Sequence, residues 1–421
     1  MSTVDQHAKV GQYTEVPSSD VSRRRGPLRN LRVVDLTTSY AGPTATMYLA
    51  DLGADVIKVE RPGTGDDARQ WGPPFTGSAS AWFGSANRNK RSVVLDLGSA
   101  AGQEALLKLI ATADVLVENF NPAKLKSLGV DYPTLRARFP RLIYCAMSGF
   151  GLTGPDHARP GYDLAAQARS GLMSVTGQLG GPPQRVSTAL SDVVTGMCAA
   201  IAVCAAVVEQ QVTGNGDLVD VSLLDSDLAL MAPRIAAYLA GEPEPAPSGG
   251  TDSVLAIYQP FKAADREIVV AIGNDKMWAR FCQALGLEEN IQNAELRSNA
   301  GRKLQRPVLI PAIADRIVTR PASEWVELLE QAGVPCSVVQ TLSEVVSDPQ
   351  VVERRSLMPD LKHDGLFTVR SPFRLDSIPD VPNEPYPELG QDTEDVLKEL
   401  DLTVDEIGEI VSVSNGQTGS D

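Results

Sequence analysis

Leu31-Arg-Val-Val-Asp-Leu-Thr37 and Leu52-Gly-Ala-Asp-Val-Ile-Lys-Val-Glu-Arg-Pro-Gly63 are the stretches whose reading decides the fold. Each contains a short apolar run, and the helix-forming segment Ala45 to Leu52 lies between them. Residues that are apolar at successive positions leave no solvent face, so such a run belongs in a sheet covered on both sides. The unit repeats downstream, with strands expected over Ser92 to Leu97, Val115 to Asn119 and Leu142 to Met147 and helices over Gly102 to Ala113 and Ala123 to Leu128. Alternation of this kind predicts βαβ units, hence an α/β fold with a large doubly wound, Rossmann-like parallel sheet. Ligands of such sheets bind outside the carboxyl ends of the strands. The loops there are 37–43, 61–65, 118–122 and 148–162.

Gly149-Phe-Gly-Leu-Thr-Gly154 matches a dinucleotide fingerprint but is followed by Pro155 and Pro160, where a helix would have to open. The match is rejected on that ground. The formal charge of −15 argues against nucleic acid or an anionic membrane as partner, since both demand a basic footprint. Five cysteines without C-x-x-C spacing read as reduced thiols, which places the protein in the cytoplasm. Three histidines without H-E-x-x-H offer little from which to build a metal site, so none is expected. The apolar run Val193 to Val208 is shorter than the ~20 residues that span a bilayer and reads as a buried, alanine-rich helix.

Organisation follows from proline and glycine. Residues 1–28 read as a disordered tail, 29–240 as the large catalytic domain, and 241–250, Gly-Glu-Pro-Glu-Pro-Ala-Pro-Ser-Gly-Gly, as a semi-rigid linker. Strands near Ile257 and Glu267 and three helices mark a smaller α/β domain over 251–340. The proline-rich remainder, 341–421, reads as extended chain.

Between Pro160 and Gly177 stands a lone carboxylate, Asp163, ahead of Leu-Ala-Ala-Gln167. Its plainest role is a helix N-cap. A helix N-terminus also favours the ionised carboxylate, which is the form that covalent catalysis requires. The motifs 31–37, Ala41-Gly-Pro43, 52–63, Asn89-Lys-Arg-Ser92, Asp114-Val-Leu-Val-Glu-Asn-Phe120, Gly161-Tyr-Asp163, Ser191-Asp-Val-Val-Thr-Gly-Met197 and Thr213-Gly-Asn-Gly216 together resemble the family III CoA-transferases, which include formyl-CoA transferase and carnitine CoA-transferase.

The resemblance implies an enzyme that passes CoA from an acyl-CoA to a carboxylic acid through aspartyl anhydride and aspartyl-CoA thioester intermediates, without a cofactor. It implies Asp163 as the nucleophile, with Gln167 beside it as a donor to the oxyanion. It implies CoA contacts at Tyr40, Ala41, Arg61, Lys90, Arg91, Asn119 and Phe120, a return of the C-terminal segment onto the large domain, and an interlocked homodimer. Two alternatives stay open: a non-catalytic CoA-binding protein, and an α-methylacyl-CoA racemase. The racemase branch pairs a histidine before the shared Asp with a second Asp downstream; here Asp192 is kept, but Tyr162 stands at the histidine position. With an unperturbed pKa of about 10, tyrosine is a poor base near neutrality.

Overall fold

The computed structural model describes residues 26–360, 362, 367–378 and 384–414. The expected tail lies, up to residue 25, outside the described residues. The chain divides into two units, one made of residues up to 170, 186–236 and from 349 onward, the other of 171–185 and 237–348. The second unit therefore begins before the proline-rich stretch 241–250 and includes an earlier segment that sequence reading had assigned to the large domain.

The first unit is built on six parallel strands: β1 (Arg32–Asp35), β2 (Asp55–Glu60), β3 (Arg91–Val94), β4 (Val115–Glu118), β5 (Ile143–Ser148) and β6 (Leu218–Ser222). Their order across the sheet is β3-β2-β1-β4-β5-β6. The chain winds outward in one direction from β1 and then in the other from β4, so the two central strands diverge at their carboxyl ends and open a crevice there. Side chains alternate between two cores. Val34, Ile57 and Leu116 face one core, which helix α2 (Ala100–Ala111) helps to close with Leu106 and Leu109. Val33, Val56, Val115 and Val117 face the other, with α1 (Ala41–Asp51) and α4 (Leu190–Thr213). Strand β6 escaped sequence reading because only Val219 and Ser222 are buried and Asp220 is exposed.

Between β5 and α4 lies the short helix α3 (Asp163–Arg169). Helix α4 packs against α1 at Gly196, where a Cβ would stand 2.8 Å from the Ala41 carbonyl oxygen. It is not buried all round, as expected from composition. Ala199, Val203 and Ala206 are buried, while Ile201, Val208 and Val212 face outward. By length and composition it could cross a bilayer, and it is the one such helix among the described residues. Helix α5 (Leu223–Leu239) follows β6 directly.

The C-terminal part of this unit is not simply extended, since it contains helices Thr393–Lys398 and Val404–Ser414. It lies along β3: Asp392 Oδ2 accepts from the Ser92 N–H at 2.8 Å, and Thr393 Oγ1 accepts from the Val94 N–H at 3.0 Å.

The second unit has a three-stranded antiparallel sheet, β7 (Tyr258–Lys262), β8 (Glu267–Ala271) and β9 (Cys336–Val338), in the order β9-β8-β7. Helices α6 (Asp275–Leu285), α7 (Arg306–Ile317) and α8 (Ala322–Gln331) enclose its core of Trp278, Phe281, Ile313, Trp325 and Leu329. The Gly249 N–H donates to the Gly177 carbonyl at 2.9 Å, tying segment 171–185 to this unit.

Candidate active site

The crevice at the switch point is a cleft of about 260 Å³. Its walls come from the loops after β1 (Thr38, Ser39, Ala41), β4 (Asn119, Phe120) and β5 (Ser148, Gly149), with Asp192 from the first turn of α4. The two central loops are clamped reciprocally: the Thr38 N–H donates to Asn119 Oδ1 at 3.0 Å, and Asn119 Nδ2 donates to the Thr38 carbonyl at 2.9 Å. Ser39 holds a left-handed φ of 74°, a conformation disfavoured for a side-chain-bearing residue. Its N–H is fixed by Asp66 Oδ1 at 3.0 Å. Across the cleft, Gly149 and Gly161 touch backbone to backbone; a Cβ on Gly149 would lie 2.6 Å from the Gly161 Cα. Only glycine permits this approach, which brings the ends of the 149–161 loop together and delivers the chain to Asp163.

Asp163 is the first residue of α3, and Tyr162 rather than Asp163 is the N-cap. Its carboxylate caps a different helix. Oδ1 accepts from the Ser191 N–H at 2.8 Å and the Asp192 N–H at 3.4 Å, and Oδ2 accepts from Gln167 Nε2 at 2.7 Å. Asp163 thus sits on the N-terminus of the long helix α4, where backbone N–H groups and helix dipole favour an anion. Gln167 is fully buried, with its amide spent on Asp163 and on the Val186 N–H, which donates to Oε1 at 2.9 Å. One of its two Nε2 N–H groups is given to Asp163, so Gln167 orients that carboxylate.

Asp192 differs in every respect. It lines the cleft, whereas Asp163 does not, and its carboxyl has no hydrogen-bond partner among the described residues. Burial, together with the charges of Asp163 and Asp227, pushes its pKa up to about 7. Glu118, beneath the cleft, is likewise raised to about 7 by burial, against hydrogen bonds from the Phe120 N–H and the Tyr144 hydroxyl.

The expected CoA contacts separate into three groups. Ala41, Asn119 and Phe120 line the cleft. Tyr40 does not; it stacks edge-on against Trp82 at 5.1 Å and bonds Ser85. Arg61, at the carboxyl end of β2, is half exposed and pairs with Asp67. Near it lies a cation that sequence reading missed, Lys124, whose ammonium sits 4.0 Å over the Phe120 ring and whose pKa is lowered by burial and by Arg61. Lys90 and Arg91 are corrected. Lys90 is buried and gives its protons to Asp35, the Pro43 carbonyl and Asn87. Arg91 opens β3 at the opposite end of the strand and pairs with Asp55 and Glu399.

A parallel sheet with its cleft at the switch point, lined by the carboxyls of Glu118 and Asp192, defines a doubly wound α/β protein with a ligand site at its strand ends. The chain matches the CoA-transferase family III model over residues 28–393 and belongs to that family. It is 39% identical over 407 residues to the human succinyl-CoA:glutarate CoA-transferase, covering 96% of this chain and 92% of that one. It is 36% identical to succinate–glutarate CoA-transferase of Agrobacterium fabrum, over 91% and 98% of the two chains. Its fold matches the crystal structure of a CaiB/BaiF family protein from Brucella suis with a TM-score of 0.78 at 34% identity, over 90% of this chain and 100% of that one. The protein is therefore an enzyme that transfers CoA between acyl-CoA and carboxylic acids.

Proposed function

We propose that the enzyme passes CoA from a dicarboxylic acyl-CoA such as succinyl-CoA to a free dicarboxylic acid such as glutarate, with Asp192 as the covalent carrier. The substrates follow the names of the two relatives above. The carrier follows from one observation: the Asp192 carboxyl faces the cleft without a partner, whereas both oxygens of Asp163 are occupied. The nucleophile expected at Asp163 is thus reassigned, and Asp163 becomes the residue that orders the first turn of α4.

The chemistry is a chain of acyl exchanges. An Asp192 oxygen attacks the thioester carbonyl carbon, the C–S bond breaks, and its electron pair leaves on the CoA thiolate, giving a mixed anhydride. The thiolate attacks the Asp192 carbonyl carbon, expels the donor acid as a carboxylate, and leaves an aspartyl-CoA thioester. The acceptor carboxylate attacks that carbonyl and releases the thiolate, which then attacks the acceptor's acyl carbon and frees Asp192. No net proton is taken up, and CoA enters only as substrate. Holding carboxylate and thioester in line contributes up to ~7–11 kcal/mol of the barrier reduction. A carboxylate of raised pKa is also a stronger nucleophile once ionised. Ala41, Asn119 and Phe120 contact the CoA arm, and Arg61 with Lys124 faces its phosphates. We assign the active form to a cytoplasmic, interlocked homodimer, which sedimentation at micromolar concentration tests.

Incubation with succinyl-CoA and no acceptor, followed by hydroxylamine or borohydride and peptide mass analysis, should find the hydroxamate or alcohol at Asp192. Modification at Asp163, with Asp192 untouched, would return the nucleophile to Asp163.

A further inference from the structure

Glu118, the last residue of β4, is buried and lines the cleft. Its Oε2 accepts from the N–H of Phe120, two residues on, at 2.8 Å, and this bond sets the turn by which the chain leaves the strand. Its Oε1 accepts from the Tyr144 hydroxyl of β5 at 3.3 Å. That hydroxyl also lies 3.2 Å from the Val130 carbonyl oxygen. A hydroxyl carries one proton, so it cannot serve the carboxylate and the carbonyl in full at once. A protonated Glu118 removes the conflict: the carboxyl donates to the Tyr144 oxygen, and Tyr144 donates to Val130. Two hydrogen-bond arrangements, one proton apart, are thus built under the cleft.

We propose that Glu118 is a positioning residue for CoA: ionised, it locks the Phe120 turn and tightens the cleft on the CoA arm; protonated, it turns towards Tyr144 and Val130 and loosens that turn. The inference rests on Phe120 as a contact of the CoA arm.

Both ends of this network are cleft walls. Phe120 lines the cleft, and Asn119 beside it is clamped to Thr38. Val130 follows the helix Pro122–Ser127, which presents Leu125 to the cleft and holds the Lys124 ammonium 4.0 Å over the Phe120 ring. An N–H donates more strongly to a carboxylate than to a neutral acid, so ionisation tightens the Phe120 turn. Burial raises Glu118 to about 7, against the bonds from Phe120 and Tyr144, and no cation acts on it among the described residues. Tyr144 and Cys145 do not compete for the proton, because burial and the Glu118 charge push both up, with Asp131 adding to the first and Asp220 to the second. Glu118 is therefore the group of this pocket whose charge changes near neutrality. The pantetheine arm of CoA is uncharged, so the ionised carboxyl beneath it meets no like charge there.

The test is the dissociation constant of free CoA, measured by titration calorimetry between pH 5.5 and 8.5. In the unaltered enzyme it should fall about fivefold as pH rises through about 7, the gap between a charged and a neutral acceptor. Glu118→Gln offers an amide oxygen to Phe120 and an N–H to Tyr144, which is the arrangement of the acid form. It should bind CoA about fivefold more weakly than the unaltered enzyme at pH 8 and equally at pH 5.5, and raise the donor KM more than it lowers kcat. Asp192 titrates in the same cleft, and the difference between the two proteins separates Glu118 from it. Tyr144→Phe removes a donor that favours the carboxylate, so the transition should move to higher pH by about half a unit to one unit. This second variant also keeps the test open if Glu118→Gln folds poorly. A CoA affinity at pH 8 that is the same in Glu118→Gln as in the unaltered enzyme, or a transition unmoved in Tyr144→Phe, overturns the proposal. Unchanged CoA affinity in Phe120→Ala overturns instead the contact beneath it.

Discussion

Two groups of charges stand by the same sheet, and they are treated in opposite ways. Around β1, β2 and β3, Asp35, Lys58, Asp66 and Lys90 are buried, as are Glu60 and Arg69. Every one has a counter-charge: Lys90 lies 3.1 Å from Asp35, Lys58 lies 2.9 Å from Asp66, and Arg69 forks onto Glu60 at 2.7 and 2.8 Å. Burial alone would raise Asp35 and Glu60, but the lysines, Arg69 and neighbouring hydroxyls overcome it and hold both below the usual carboxylate range. At the head of α4, Asp163, Asp192 and Asp227 have no cation partner among the described residues, and Asp192 rises to about 7. The compensated group braces the loop that lines the cleft, since Lys58 also donates to the Thr37 carbonyl at 2.8 Å. The uncompensated group stands at the cleft, which Asp192 lines. Charge left unpaired in a protein interior marks function more reliably than charge that is merely buried.

The sharpest way to break this contrast is activity. Asp192→Ala should lower kcat by more than about a thousandfold, as loss of a covalent nucleophile does. Asp163→Asn, which keeps an oxygen for the Ser191 N–H, should retain at least a few per cent of turnover. Equal loss in the two variants would erase the distinction between carrier and orienting residue.

Stability should respond in the reverse order. Lys90→Met leaves Asp35 facing only Lys58 and should cost about 3–5 kcal/mol in denaturant unfolding. By contrast, Asp192→Asn should stabilise the protein above neutral pH. The folded pKa of Asp192, about 7, exceeds its ordinary value of 3.8, so the folded state holds the proton more tightly and ionisation penalises folding. That penalty grows as pH rises from about 4 to 7 and is complete above 7. The variant should gain about 1–4 kcal/mol at pH 8 and nothing at pH 3. A gain that persists at pH 3 would locate the effect outside this titration.

The pH dependence of turnover carries the same sign. With Asp192 ionised as nucleophile, kcat/KM should climb about tenfold per unit toward a plateau above pH 7. A flat profile between pH 5.5 and 7 would contradict the raised carboxyl. The smallest expected effect concerns the cations: Arg61→Ala should raise the donor KM a few-fold, and increasingly at low salt, while Arg91→Ala should leave it unchanged.

Much of the sheet is legible in short apolar runs such as Val33-Val34 and Val115-Leu-Val117, because a strand covered on both faces shows its burial at every position. Strand β6 shows it only at Val219 and Ser222, and its neighbour α4 is less buried than its alanine content implies. The site was harder to read. Ala41, Asn119 and Phe120 follow from their places after β1 and β4, and those loops open into the cleft. Asp163 and Asp192 look alike in sequence, each an aspartate near the start of an apolar helix. Lys90 and Arg91 likewise appear as surface cations after a turn.

The order of strands and loops, the acidic surface and the family are properties of the chain as written, because periodicity and motif order survive without knowledge of contacts. Which aspartate is held by remote donors and which lines the cleft was decided only in three dimensions. The deciding donors to Asp163, the N–H groups of Ser191 and Asp192, come from 28 and 29 residues away, and Lys90 finds Asp35 across 55. Hydrogen-bond satisfaction and desolvation depend on neighbours that folding brings together, and for these residues the neighbours are remote in sequence.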